Sequence, residues 1–134
     1  MATQALKSEL VDWSMSRRST RKKVLVVDDD GSVLRALRRC LTQHYIVETA
    51  PNAEQAAVRL AAGDFEAIIT DFDMPVYDGI WLLGQVAVNY PGMNRVMISA
   101  SDPALFTAHI QSGLIQHYHI KPVSFEGIVE SLGN

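Results

Sequence analysis

The sequence lacks every feature that would direct the chain into a membrane or an oxidising compartment. Cys40 is its only cysteine, so no internal disulfide can form, and a lone thiol is typical of a reducing compartment. No apolar run approaches the ~20 residues that a membrane-spanning helix needs. The first residues also lack the continuous apolar segment of a secretory signal. These absences predict a cytoplasmic protein that makes no membrane contact.

Aromatic residues are scarce, at 7% of 134 residues, although hydrophobic residues make up 48%. Val, Ile, Leu and Ala must therefore fill most of the core, which favours a sheet covered by helices. The length suits one compact domain.

Basic residues are scarce beyond the first third of the chain. Nine of the 12 lysines and arginines precede position 40, and the formal net charge is −3. An acidic domain of this kind is a poor candidate for direct nucleic-acid binding. Residues 1–21 are predicted to be an N-terminal extension, either disordered or a short helix with Leu6, Leu10 and Trp13 along one side.

Apolar runs alternate with helical patterns throughout the rest of the chain, 22–134. Strands are predicted at 24–27, 45–49, 67–70, 95–99 and 117–120, and helical patterns cover 33–41, 52–63, 79–88, 103–112 and 125–132. Five β-α units in succession predict an α/β fold with a doubly wound, parallel, five-stranded sheet.

Polar side chains follow the predicted strands where each strand ends. Asp28 and Asp29 follow the first strand and Asp71 the third, while Ser99 and Lys121 close the fourth and fifth. In such sheets ligands bind beyond the carboxyl ends of the strands. Carboxylates brought this close repel one another unless a divalent cation joins them. The pattern therefore indicates metal-assisted phosphate chemistry.

The order and spacing of several short motifs identify a family resemblance. The motifs are Val26-Val27-Asp28-Asp29, Asp71-Phe72-Asp73-Met74-Pro75, Asp78-Gly79, Ser99-Ala100 and Lys121-Pro122. Together they make the chain, from about Lys22 to Leu132, resemble a receiver domain of bacterial two-component response regulators. The resemblance implies a flavodoxin-like (βα)5 fold with strand order 2-1-3-4-5.

The resemblance also implies a phosphoryl acceptor and a Mg²⁺ site. Asp71 matches the aspartate that takes a phosphoryl group and becomes an acyl phosphate. Asp28 and Asp29 match the acidic pair that binds Mg²⁺, together with Asp71 and the backbone carbonyl of Asp73. Asp73 also places a second carboxyl group two residues after the acceptor, at a position that varies in the family.

Three further residues match the family's response to phosphorylation. Ser99 matches the hydroxyl residue that hydrogen-bonds a phosphoryl oxygen, and Lys121 matches the lysine that pairs with the phosphate. Ser99 and Tyr118 match the switch pair whose movement remodels the surface made by the fourth helix, fifth strand and fifth helix. The implied function is thus a phosphorylation-dependent switch of a protein-binding surface, without turnover of a separate substrate.

The resemblance implies a histidine kinase or a histidine phosphotransfer protein as the phosphodonor. Two segments, Gly113-Leu114-Ile115 and Val33 to Arg39, are similar to receivers joined to HD-type or HDOD output domains. Two arrangements stay open: a single-domain regulator, or an output domain beyond the given chain, for which these segments favour the HD-type or HDOD kind.

Two other functions compete with this interpretation. Haloacid-dehalogenase-type phosphatases place a second aspartate two residues after a first-strand nucleophile, a spacing that Asp28 and Asp30 share. The short chain and the Met-Pro and Asp-Gly loop after the third strand speak against that class. A non-phosphorylated scaffold receiver is the other alternative, and the complete set of matching residues speaks against it.

Overall fold

The computed structural model describes residues 21–133, so nearly all of the predicted 1–21 extension lies outside the described residues. The elements are, in chain order, β1 (Lys23–Val27), α1 (Gly31–Leu41), β2 (Ile46–Ala50), α2 (Ala53–Ala62), β3 (Ala67–Asp71), α3 (Gly79–Asn89), β4 (Asn94–Ser99), a 3₁₀ turn (Pro103–Phe106), α4 (Thr107–Gln111), β5 (His117–Ile120) and α5 (Phe125–Ser131).

All five strands pair in parallel in the order β2-β1-β3-β4-β5, which confirms the predicted flavodoxin-like topology. Side chains alternate across the sheet, as strand geometry requires. Val24 and Val26 of β1 pack in the core layer beneath α1 and α5. Leu25 and Val27 pack in the opposite layer, beneath α2 and α3.

Short polar side chains fix where the helices begin. Asp30, Asn52 and Asp102 each accept a hydrogen bond from a backbone N–H of the first turn that follows. The fourth helix differs from the expected continuous helix over 103–112. Its first turn is 3₁₀, the tighter form that is frequent at helix N-termini, and only Thr107–Gln111 is α-helical.

A buried arginine ties β4 to the end of α4. The Arg95 guanidinium donates to the carbonyls of Leu114 and Gly113, each at 3.0 Å, and to that of Met93 at 3.3 Å. Gly113 has φ +83°, the left-handed conformation that glycine adopts without a steric penalty. Arg95 thereby satisfies carbonyls that the turn after the helix leaves without partners.

Within residues 21–133 the helices are all too short or too polar to span a bilayer.

The environment of His119 on β5 makes the stability of the fold depend on pH. Its Nε2 shares a 2.6 Å hydrogen bond with the Oγ of Ser131 on α5. Burial, with a smaller contribution from His117, lowers the pKa of His119. The unfolded chain therefore binds the proton more readily, and stability is lost as pH falls below about 6.5, the ordinary value for histidine.

We expect His119→Gln to flatten this dependence in urea unfolding curves recorded between about pH 5 and 7.5. His44→Gln, at an exposed position, is the matched control and should leave the slope as it is. An unchanged slope in His119→Gln would assign the dependence to another group.

Candidate functional site

Four strands deliver polar side chains to one edge of the sheet. Asp28 follows β1, and Asp71, Ser99 and Lys121 end or follow β3, β4 and β5. The order of the strands reverses between β1 and β3, the position at which open α/β sheets form their ligand crevice.

Lys121 joins the two buried carboxylates of this edge. Its Nζ lies 2.9 Å from Oδ2 of Asp28 and 3.1 Å from Oδ1 of Asp71. Asp28 is fully buried, and Asp71 is 4% exposed. The second oxygen of Asp28, Oδ1, accepts the backbone N–H of Asp30 at 2.9 Å, which orients this carboxylate.

The pKa values of Asp71 and Lys121 are set by burial and by the excess of negative charge at this edge of the sheet. Burial raises the pKa of Asp71, the nearby Asp28 carboxylate raises it further, and Lys121 only partly opposes this shift. For Lys121, burial acts to lower the pKa, but its bonds to Asp28 and Asp71 outweigh burial and raise it. One ammonium group is therefore holding two carboxylates that repel each other.

A third carboxylate completes the cluster that could hold a cation. One oxygen each from Asp28, Asp29 and Asp71 lies within 4.8 Å of the others. Asp29 is exposed, so the cluster opens to solvent on its side. A few carboxylates at an open rim are the donor set that suits Mg²⁺, which keeps several of its waters. Asp73 lies exposed in the loop beyond β3, and its carboxylate is not in this cluster.

Ser99 and Tyr118, the predicted switch pair, are linked through Ser101. The buried Oγ of Ser99 accepts the backbone N–H of Ser101 at 3.0 Å, and the Tyr118 hydroxyl donates to the Ser101 carbonyl at 2.5 Å. The Tyr118 ring packs against Phe106, with 5.5 Å between ring centroids. Sequence reasoning did not find Ser101, because its part in the link is played by backbone atoms.

Asp30 has a structural position that separates it from the cluster. Its carboxylate accepts from both the backbone N–H and the hydroxyl of Ser32, at 2.9 and 2.6 Å, and caps α1. These bonds lower the pKa of Asp30. The Asp28–Asp30 spacing, which the phosphatase alternative requires, is thus explained by helix capping.

Gly79 lets the start of α3 approach the end of β3. Its N–H donates to the Phe72 carbonyl at 2.9 Å, and a Cβ at this position would lie 2.4 Å from the Asp71 carbonyl oxygen. Only glycine fits so close to the backbone of the candidate acceptor. Val76, in the same loop, has φ +72°, an unusual conformation for a β-branched residue.

We expect Gly79→Ala to lower the free energy of unfolding by about 1–2 kcal/mol, because the loop must shift to admit the methyl group. Gly84→Ala in the middle of α3 is the control. Apart from its chain neighbours and the backbone of its own helix, no atom lies within 4 Å of the added Cβ, so this variant should be neutral or stabilising by up to about 1 kcal/mol. Urea denaturation measures both variants, and equal effects would contradict the close approach at Gly79.

Comparison with known proteins gives a consistent set of relatives. The family model described as "Response regulator receiver domain" matches residues 24–133. The alginate biosynthesis transcriptional regulatory protein AlgB of Pseudomonas putida is 34% identical over 112 residues, which cover 81% of this chain and 25% of AlgB. The two-component response regulator ARR10 of Arabidopsis thaliana is 35% identical over 108 residues, 78% of this chain and 19% of ARR10.

Solved structures share the architecture. The signal receiver domain of an HD domain-containing protein from Pseudomonas fluorescens Pf-5 superposes with a TM-score of 0.77 at 28% identity, covering 84% of this chain and 91% of that one. The chain spans about a quarter or less of the curated relatives that it matches.

Proposed function

The chain belongs to the response regulator receiver domain family of two-component systems, and from this we propose that Asp71 is its phosphoryl acceptor. One observation carries the assignment. Asp71 is the carboxylate at the end of the central strand β3 that Lys121 contacts and that shares a cation-sized cluster with Asp28 and Asp29.

The residues of the site divide the work of phosphoryl transfer. Asp28, Asp29 and Asp71, with the backbone carbonyl of Asp73, would hold Mg²⁺, which when bound neutralises charge on the phosphoryl oxygens. Asp71 supplies the nucleophilic oxygen. The Lys121 ammonium is a compact cation that lies 3.1 Å from Asp71, so it is already placed to pair with a phosphoryl group arriving there. On phosphorylation it exchanges its carboxylate partners for the phosphate.

The transfer step needs no reactant besides Asp71 and the phosphodonor. An Asp71 oxygen forms a bond to phosphorus as the bond from phosphorus to the donor nitrogen of a phosphohistidine breaks. The donor imidazole leaves with the electron pair of that bond. The product is an acyl phosphate, and its later hydrolysis by water releases inorganic phosphate and restores the Asp71 carboxylate.

The link through Ser101 supports a switch that both Ser99 and Tyr118 share. A phosphoryl oxygen that drew the Ser99 hydroxyl toward Asp71 would compete with its bond from the Ser101 N–H. Movement of Ser101 would in turn release the Tyr118 hydroxyl from the carbonyl that it now contacts. Phosphorylation then shifts a two-state equilibrium of the α4-β5-α5 surface.

Receiver domains act with histidine kinases, and we propose a histidine kinase or a histidine phosphotransfer protein in the cytoplasm as the donor for this chain. For the output we propose an HD-type or HDOD domain. This is supported by the two sequence segments noted above and by the HD domain-containing protein of P. fluorescens. AlgB, a transcriptional regulator, makes a different output the competing proposal.

Acetyl phosphate, a small phosphodonor, tests the proposed function. Incubation with Mg²⁺ should add one phosphoryl group per chain, measured by intact mass, and hydroxylamine should remove it because an acyl phosphate is labile to this nucleophile. Chelation of the metal with EDTA should suppress the labelling. Absence of any adduct would contradict the proposal, and sustained release of phosphate from simple phosphate esters would favour the phosphatase alternative.

A further inference from the structure

An open apolar groove runs between α1 and α5, on the side of the sheet away from α2 and α3. It has a volume of about 440 Å³, and its lining includes Cys40, Gln43, Phe125, Val129, Glu126 and Glu130. Phe125 is 39% exposed, and it also borders a second cleft of about 540 Å³ beside Val33, Leu37 and Pro122. The two clefts share Phe125, and together they are here named the α1–α5 groove, one end of which is lined by Lys121.

The chain enters the described domain at one end of this groove. Arg21 donates from Nη2 to the carbonyl of Gln43, just past α1, at 3.1 Å. The Nζ of Lys22 donates to the carbonyl of Leu132, just past α5, at 3.2 Å. Both bonds fix the entry point between the carboxyl ends of the two helices that wall the groove, so residues that precede Arg21 begin beside it.

The preceding sequence matches this surface in polarity and in length. Leu6, Leu10 and Trp13 have the spacing of one face of a helix and span about 10 Å along it. Helix α5, with seven residues, has about the same length. The segment 6–13 carries Lys7, Glu9 and Asp12, so its apolar face rather than its charge matches the groove. Arg17 and Arg18, in the connecting residues 14–20, are the basic groups that can face Glu126 and Glu130 on the α5 side.

We propose that residues 6–13 of the same chain dock in the α1–α5 groove, with Leu6, Leu10 and Trp13 against Phe125 and Val129. Residues 14–20 can reach up to about 25 Å, enough to return over a groove that starts at Arg21. A tether this short gives an effective concentration near the millimolar range, which favours this segment over the same segment of a second copy. Docking covers the apolar surface and places the extension beside the loop that carries Lys121.

The only cysteine of the chain lies in the groove and reports on its occupancy. Iodoacetamide is neutral, so a change in local charge does not alter its approach to Cys40, and the effect of an added charge on the thiolate fraction is measured by the charge control below. In the full chain, Leu10→Asp should raise the rate of Cys40 alkylation by roughly tenfold or more, because loss of one buried leucine weakens docking by at least that factor. Mass spectrometry follows the reaction.

Ser8→Asp is the matched control, since it adds the same charge on the opposite side of the predicted helix. It should react at the wild-type rate. Equal rates in wild type and Leu10→Asp, or the same acceleration in Ser8→Asp, would overturn the proposal.

A second measurement does not depend on the variants. In the wild-type chain, nuclear Overhauser effects are expected between the Trp13 indole and the methyl groups of Val129. Their absence would overturn docking. Protection of Cys40 that strengthens with protein concentration, accompanied by a dimer in analytical ultracentrifugation, would replace docking within one chain by exchange between two copies.

Discussion

Asp71→Asn is expected to abolish labelling by acetyl phosphate in the presence of Mg²⁺. The amide keeps the size of the carboxylate but removes the nucleophilic oxygen, and loss of a nucleophile lowers rates on the order of 10³-fold or more. Intact mass of the variant should show no added phosphoryl group under conditions that label the wild type fully.

Asp64→Asn supplies the control for this substitution. Asp64 is exposed and lies before β3, at the opposite end of the strand from Asp71, so the same chemical change there should leave labelling intact. Equal labelling of Asp71→Asn and wild type would show that another carboxylate is the acceptor. Loss of labelling in both variants would show that the assay responds to net charge rather than to the site.

Lys121→Met is expected to give the largest loss of stability among the substitutions considered. Methionine keeps most of the apolar stem, but it leaves Asp28 and Asp71 buried without their shared cation. Removal of one partner of a fully buried ion pair costs about 3–5 kcal/mol. Because the Lys121 side chain is 25% exposed, we expect a smaller loss of about 2–3 kcal/mol in metal-free urea unfolding.

The loss in Lys121→Met should depend on metal and on pH. Mg²⁺ should restore part of it, since a bound cation stabilises the folded state by mass action and offsets the same negative charge. The loss should also shrink as pH falls, because the raised pKa of Asp71 lets this carboxyl take up a proton and relieve the repulsion.

Lys23→Met is the matched control, because Lys23 is exposed to a similar extent but pairs with a carboxylate that is not buried. Lys23 lies 2.7 Å from Glu48, and the two side chains are 28% and 29% exposed, whereas the Asp28 partner of Lys121 is fully buried. Its removal should cost about 1 kcal/mol or less and should not respond to Mg²⁺. Equal losses in the two variants, or Mg²⁺ rescue of both, would contradict the proposed role of the buried pair.

Much of the fold follows from the sequence because its signals are local. Val24 to Val27 is a continuous apolar run, which is typical of a strand buried on both faces. Asp30 and Asn52 mark helix starts with side chains that bond backbone atoms two or three residues away. Each strand end coincides with the prediction or differs from it by one residue. Hydrophobic periodicity locates a strand well but does not fix its terminal residues.

Local sequence patterns did not predict the 3₁₀ start of the fourth helix or the bonds of Arg95 that anchor its end. The first turn at Pro103–Phe106 is 3₁₀ rather than α-helical, and the bonds of Arg95 to Gly113 and Leu114 join residues 18 or 19 positions apart in the sequence. An arginine in a predicted strand gives no indication that its guanidinium will serve the end of a neighbouring helix.

The sequence by itself determined which residues stand at strand ends, because a parallel sheet places all its carboxyl ends at one edge. Only the tertiary structure decided which of these residues bond one another and which stay exposed. Lys121 bonds Asp28 and Asp71 across 93 and 50 positions of chain, and Asp29 stays exposed. Ser101 joins Ser99 to Tyr118 through its backbone. Hydrogen bonds and ion pairs act over about 3 Å, and such proximity between distant residues exists only after the chain has packed.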